Sequence, residues 1–242
     1  MNKKLFWLSI IGILISFVGG FLLANALNRS EINSLTTENE RLKKKQNDAS
    51  QSNSEKELSE SEIREKIAEA EKNPENFNFQ KGLGLGLYRY AMLKQDKALM
   101  NDVAKLLQRA YDLNSDDYEV IVSLGNIYFD LGQINKDKTS NDKAKKLYLQ
   151  ALQKNPKDIN VRTDLGLTYL LNNSPQVEKA IEELGKTLEI DPKNERALQY
   201  MTEARIKKGN SEKAGEYLAK LKEVNAQNKG IADLEKRIGQ KN

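Results

Sequence analysis

Three stretches of the chain share one spacing of small, apolar and aromatic residues, and that repetition limits the fold more than any other feature. Ile121-x-x-Leu124-Gly125-x-x-Tyr128 is followed by Ala144-x-x-x-Tyr148 and Pro156. Arg162-x-x-Leu165-Gly166-x-x-Tyr169 is followed by Ala180-x-x-x-Leu184 and Pro192. A weaker copy runs Leu198-x-x-Met201-Thr202-x-x-Arg205 and Ala214-x-x-x-Leu218, with Ala226 in the proline's place. Ala144 and Ala180 lie 36 residues apart, Ala180 and Ala214 34. Steps of three and four residues put the apolar positions on one helix face. Gly125, Gly166, Ala144, Ala180 and Ala214 let helices approach closely, while Tyr128, Tyr148 and Tyr169 fill the space between units. Asn155-Pro156 and Asp191-Pro192 end each second helix, because the residue before proline is pushed out of the α region. A single unit leaves its apolar face open, so the units must stack.

These residues resemble the tetratricopeptide repeat, a 34-residue pair of antiparallel helices with the pattern W-x₂-L-G-x₂-Y…A-x₃-F…P. The resemblance implies an all-α solenoid of helical hairpins over residues 61–226. Three repeats are expected at 118–158, 159–194 and 195–226, with a degenerate copy at 77–117. In that copy Leu85-Gly86 is taken as the Leu-Gly step, and Ala110…Ser115 stands where Ala151…Pro156 stands next. A helix opened by Leu58, Ile63 and Ile67 and ended by Asn73-Pro74 resembles the second half of an earlier unit. Ile231, Leu234 and Ile238 give one face of a capping helix in 227–242. The 41-residue step from Gly125 to Gly166 places Gln133–Asp142 in an enlarged loop, and a two-residue insertion falls near Asn172–Pro175. The consensus tryptophan position holds Ile121, Arg162 or Leu198.

Ahead of the repeats, residues 5–27 contain no charge, after Lys3 and Lys4 in a cytoplasmic segment 1–4. A helix of that length reaches roughly 34 Å, enough for a hydrocarbon core of about 30 Å. Trp7 suits the interface, and only Arg29 follows within a dozen residues, so the positive-inside rule exports the rest of the chain. One transmembrane signal anchor in a bacterial inner membrane is the expectation, with the repeats extracytoplasmic. The rival is a cleaved signal peptide with Ala24-Asn25-Ala26 as its cleavage site. Residues 28–45 read as a short helical stalk. There Ile32, Leu35, Asn39 and Leu42 fit either a two-heptad coiled-coil seam or a solvated helix. Gly12, Ser16, Gly20 and Ala24 form a small-residue stripe that favours helix pairing in lipid. Together these eight residues point to a parallel homodimer. Residues 46–60 are too polar to offset their ordering entropy and read as a flexible linker.

Composition removes most chemistry. The chain has no Cys and no His, so disulfides, thiolate nucleophiles, imidazole bases and their metal sites are excluded. With 39 Lys+Arg against 35 Asp+Glu, the net charge of +4 does not advertise nucleic-acid binding. Gly82-x-Gly84-x-Gly86 lacks the Gly-Lys-Ser/Thr of a phosphate loop and reads as a close-packed helix face. Asp116-Asp117 and Asp191…Glu195 read as caps in solvated turns, and 135–139 lacks the glycine and terminal glutamate of a calcium loop. No enzymatic activity, cofactor or metal is expected.

A binding groove is what remains. In the tetratricopeptide-repeat family the first helix of each unit lines an inner groove that receives peptides or partner helices. The resemblance carries that role to Glu119, Val122, Ser123, Asn126, Phe129 and Asp130, then to Thr163, Asp164, Leu167 and Leu170. In the last unit it falls to Gln199, Tyr200, Glu203 and Lys207. Leu167 and Leu170 also fit packing between helices. Family members that clamp a peptide carboxylate use Lys, Arg and Asn at these places. Here Asp164 and Glu203 intrude and cations are mostly absent, which disfavours such a clamp. The expected function is a membrane-anchored protein-binding scaffold or assembly factor. The alternatives are a self-associating stalk of an envelope assembly or a cleaved, soluble periplasmic chaperone.

Overall fold

The structure, a computed structural model, describes residues 59–240 apart from 95 and 173. The expected transmembrane segment 5–27, the stalk 28–45 and most of the linker 46–60 lie outside the described residues. So do Gly12, Ser16, Gly20, Ala24, Ile32, Leu35, Asn39 and Leu42. Among the described residues no helix is long and apolar enough to cross a membrane. Ten helices occupy the described residues. A lone helix α1 (Glu60–Lys72) comes first. Four hairpins follow: α2 (Phe77–Lys94) with α3 (Lys97–Leu113), α4 (Tyr118–Asn135) with α5 (Lys138–Lys154), α6 (Ile159–Leu171) with α7 (Val177–Ile190), and α8 (Glu195–Lys207) with α9 (Ser211–Val224). Helix α10 (Ile231–Gly239) packs on α8 and α9.

One four-residue turn recurs at each junction. Asn73–Asn76, Asn114–Asp117, Asn155–Asp158, Asp191–Asn194 and Asn225–Asn228 each close with the fourth N–H donating to the first carbonyl at 3.1–3.3 Å. In the last four, the first side chain also accepts the third residue's N–H, at 3.0–3.3 Å. Asp117, Asp158 and Asn194 then cap α4, α6 and α8 with their side-chain oxygens. Asp116, Asp117 and Asp191 are therefore turn and cap residues. The turn geometry comes from short polar side chains that bond their own backbone.

Inside each hairpin a small residue of the first helix faces a large one of the second. A Cβ on Gly125 would stand 2.9 Å from the Tyr148 ring, and one on Gly166 2.8 Å from Leu184 Cγ. In the first hairpin the partner of this step is Gly84, whose Cβ would lie 2.9 Å from Leu107 Cδ2. That corrects the expected Leu85-Gly86 step to Leu83-Gly84. Gly82 and Gly86 are exposed, with nothing within 4 Å of an added Cβ, so only the middle glycine serves close packing.

The expected loop over Gln133–Asp142 is also corrected. The extra residues lengthen α4 and α5 to 18 and 17 residues, against 13 and 14 in α6 and α7. Only Lys136, left-handed at φ 51°, and the cap Asp137 lie outside helix. The longer pair stays helical because Asn141, 1% exposed, settles against Gly132 and accepts from the Gln133 amide at 3.0 Å. The insertion after α6 does form a loop, closed by Gln176 N–H donating to the Tyr169 carbonyl at 2.9 Å.

The core runs between the hairpins. Val120, Ile121, Leu124, Ile127, Leu165, Leu170 and Leu184 are 0–1% exposed. Burying such side chains contributes about 1.5–3 kcal/mol each. Besides meeting their hairpin partners, α2, α4 and α6 each touch the next first helix in the series, and α8 touches α10. Their shared side is consequently the inner face.

Candidate functional site

Four first helices converge on the inner face with a polar cluster on its floor. Tyr148, 1% exposed, reaches across from α5 and donates its hydroxyl to Asn126 Oδ1 of α4 at 2.8 Å. One turn further along α4, Asp130 Oδ2 accepts the Tyr88 hydroxyl of α2 at 2.9 Å. Asp164 of α6 pairs with Arg196 of α8. Asp130, Asp164 and Tyr148 lie close enough to act on one another through charge. Partial burial raises the Asp130 pKa, the Tyr88 hydrogen bond opposes it, and the negative charge of Asp164 pushes it higher again. Burial raises Asp164 as well, against the pull of Arg196. The Tyr88 and Tyr148 hydroxyls are driven well above the phenol range, chiefly by burial. The two tyrosine hydroxyls therefore stay protonated, as donors, at neutral pH.

Of the residues expected in the groove, Asn126, Phe129, Asp130, Asp164, Tyr200 and Glu203 are half-buried on these first helices. Phe129 and Tyr200 rest one flank on the core. Thr163, Leu167 and Leu170 do not belong to an accessible groove. They are 1%, 5% and 0% exposed, and Thr163 donates its hydroxyl to the Ile159 carbonyl at 2.7 Å beside Thr187. Helix α6 is short and touches both α4 and α8, which covers its apolar positions. At the far end, Arg237 of α10 approaches Glu203 at 3.6 Å, and Gln199 accepts from the Asn228 amide at 3.1 Å. At the near end, Lys81 binds Asp117 and Glu119, each at 2.9 Å.

Tyr88, Lys81 and Arg196 were not among the expected groove residues. Each occupies the position that an expected groove residue holds in another repeat. Arg196 follows the cap Asn194 by two, as Glu119 follows Asp117, and Tyr88 follows Asn76 by the same twelve residues that separate Phe129 from Asp117. Counting from the caps finds all three. Lys81 and Arg196 are thus engaged by carboxylates, and neither is free to clamp a peptide carboxylate. Among the described residues no group of three or more His, Cys, Asp or Glu is arranged to hold a metal ion.

Residues 119–158 and 174–238 each match a family model described as tetratricopeptide repeat. No curated protein matches the chain in sequence. Among solved structures, MamA is 25% identical, covering 69% of this chain and 82% of its own, with a TM-score of 0.55. YrrB, described as a tetratricopeptide-repeat protein with an unusual peptide-binding site, is 17% identical over 73% of this chain and 83% of its own, with a TM-score of 0.59. A MamA fragment from Desulfovibrio magneticus RS-1 is 17% identical over 70% and 87%, with a TM-score of 0.57. At those last two identities the likeness is one of fold alone. Hairpin geometry, cap spacing and family models agree: residues 119–158 and 174–238 carry tetratricopeptide repeats, within an all-α stack of helical hairpins.

Proposed function

We propose that this protein is a membrane-anchored scaffold that binds a segment of another protein along the inner face of its repeats. The observation carrying this reading is the half-buried cluster of Tyr88, Asn126, Asp130, Asp164 and Tyr200 on four successive first helices. Such a strip offers amphipathic rings and fixed acceptors at regular spacing, which suits an extended or helical segment. YrrB, of like fold, is described as having a peptide-binding site. The uncharged run of residues 5–27 supports the anchor, and the lysines before it support export of the repeats. The scaffold itself performs no chemistry on its partner.

The test uses the full chain crosslinked in its own membranes. Phe129→Ala with Tyr200→Ala should lose a defined partner other than the chain itself, with a stability loss per residue well below that of a core truncation, since each rests only one flank on the core. Unchanged partners would contradict the groove. A large drop in stability would instead make both residues part of the core, where truncation costs about 3–5 kcal/mol.

A further inference from the structure

Of the inner-face carboxylates named above, Asp130 alone has no cationic partner among the described residues. Lys81 is held by Asp117 and Glu119, Arg196 by Asp164, and Glu203 has Arg237 within 3.6 Å. Asp130 is half-buried on α4, with the Tyr88 hydroxyl as its hydrogen-bond donor and no cation in ion-pair range among the described residues. A carboxylate drawn partly out of water loses hydration that one neutral hydroxyl does not restore. Asp164 makes matters worse, because its charge acts on Asp130 while Arg196 is bonded to Asp164 and not to Asp130. Nothing in the packing of α4 requires an acid at this position.

We infer that Asp130 receives a lysine or arginine side chain from the protein segment bound in the groove. This rests on the reading of the inner face as a protein-binding groove and names the chemistry its occupant must present. An anionic segment would add a third negative charge beside Asp130 and Asp164. A wholly apolar one would bury both carboxylates further and leave Asp130 uncompensated. A cationic side chain neutralises Asp130 and extends the alternation of charge already set by Asp164 and Arg196. Charge-assisted bonds of this kind also fix the register of the segment, since misplacing the cation by one residue returns the penalty.

The probe is a positional-scanning library of octapeptides, titrated by fluorescence anisotropy against the full chain in detergent. Wild type should prefer Lys or Arg at one fixed position. Asp130→Asn keeps an oxygen to accept the Tyr88 hydroxyl and removes only the charge, so circular dichroism should be unchanged. In that variant the preference at the basic position should fall about tenfold, with preferences elsewhere retained. Glu212→Gln, an exposed acid in the first turn of α9, should bind as wild type. Peptide binding with no basic preference, or equal losses in Asp130→Asn and Glu212→Gln, would overturn the inference and leave the groove reading standing. No binding of any peptide would overturn both.

Discussion

Gly166 of α6 lies so close to Leu184 of α7 that a Cβ at its position would stand 2.8 Å from the leucine Cγ. Leu184 is wholly buried and has nowhere to move. Alanine is the better helix former by about 1 kcal/mol, but overpacking of this kind costs about 1–3 kcal/mol. Gly166→Ala should therefore lower stability by about 1 kcal/mol net. Gly86, exposed with open space around it, is the opposite case. Gly86→Ala should raise stability by up to about 1 kcal/mol through helix propensity alone. Urea unfolding of both variants checks the pair, and a gain at Gly166 would contradict the packing.

The same contrast explains which parts of the fold were legible from residues alone. The repeats could be read because Asn155-Pro156 and Asp191-Pro192 mark the turns and Gly125 and Gly166 mark the close contacts. The first hairpin was misplaced by two residues because three alternate glycines offer three frames, and only contact with Leu107 selects Gly84. The caps select the same glycine: Gly84 follows Asn76 by eight residues, as Gly166 follows Asp158. The length of an insertion does not say whether it becomes loop or helix. Around Gln133–Asp142 no proline intervenes and Asp137 caps the next helix, so both helices simply continue. In the groove, position alone could not separate Asp130 from Leu170, because exposure depends on how far each neighbouring helix extends.

Arg162 occupies the consensus tryptophan position and makes an ion pair that is nearly buried. Its Nη1 lies 2.6 Å from Glu183 Oε2, with both side chains 13% exposed, and its Nη2 donates to the Pro156 carbonyl at 2.6 Å. Glu183→Ala strands the guanidinium and should cost about 3 kcal/mol. Replacing both partners by apolar residues, Arg162→Met with Glu183→Leu, should recover most of that loss, since a buried pair is worth little over a packed apolar one. Chemical denaturation of the single and double variants gives the comparison. A double variant as unstable as Glu183→Ala would mean that the pair is more than self-compensating.

Asp130 should leave a signature in the pH dependence of stability. Its pKa in the folded chain is raised, so the folded state holds the proton more tightly than the unfolded chain does. The stability this brings is complete below the unfolded carboxylate value of about 3.9 and is lost as pH rises through the folded value. Tyr88, Asp164 and Tyr148 face the same carboxyl, and Arg196 is held on Asp164. Of these only Asp164 titrates near it, with the same sign. Asp130→Asn carries no charge to lose, so it should be more stable than wild type at pH 7, with the gap closing toward pH 4. Thermal melts across that range decide it, and a gap that widens on acidification would contradict the burial of Asp130.

Site-specific photocrosslinking in native membranes tests most directly whether a partner occupies the inner face. A photoreactive residue placed at Asn126 or Phe129 on α4 should yield one discrete adduct with another protein. The same residue at Glu182 on α7 or Glu216 on α9, both on second helices, should yield none. Adducts confined to the second helices, or equal labelling at all four positions, would contradict the groove as the binding surface.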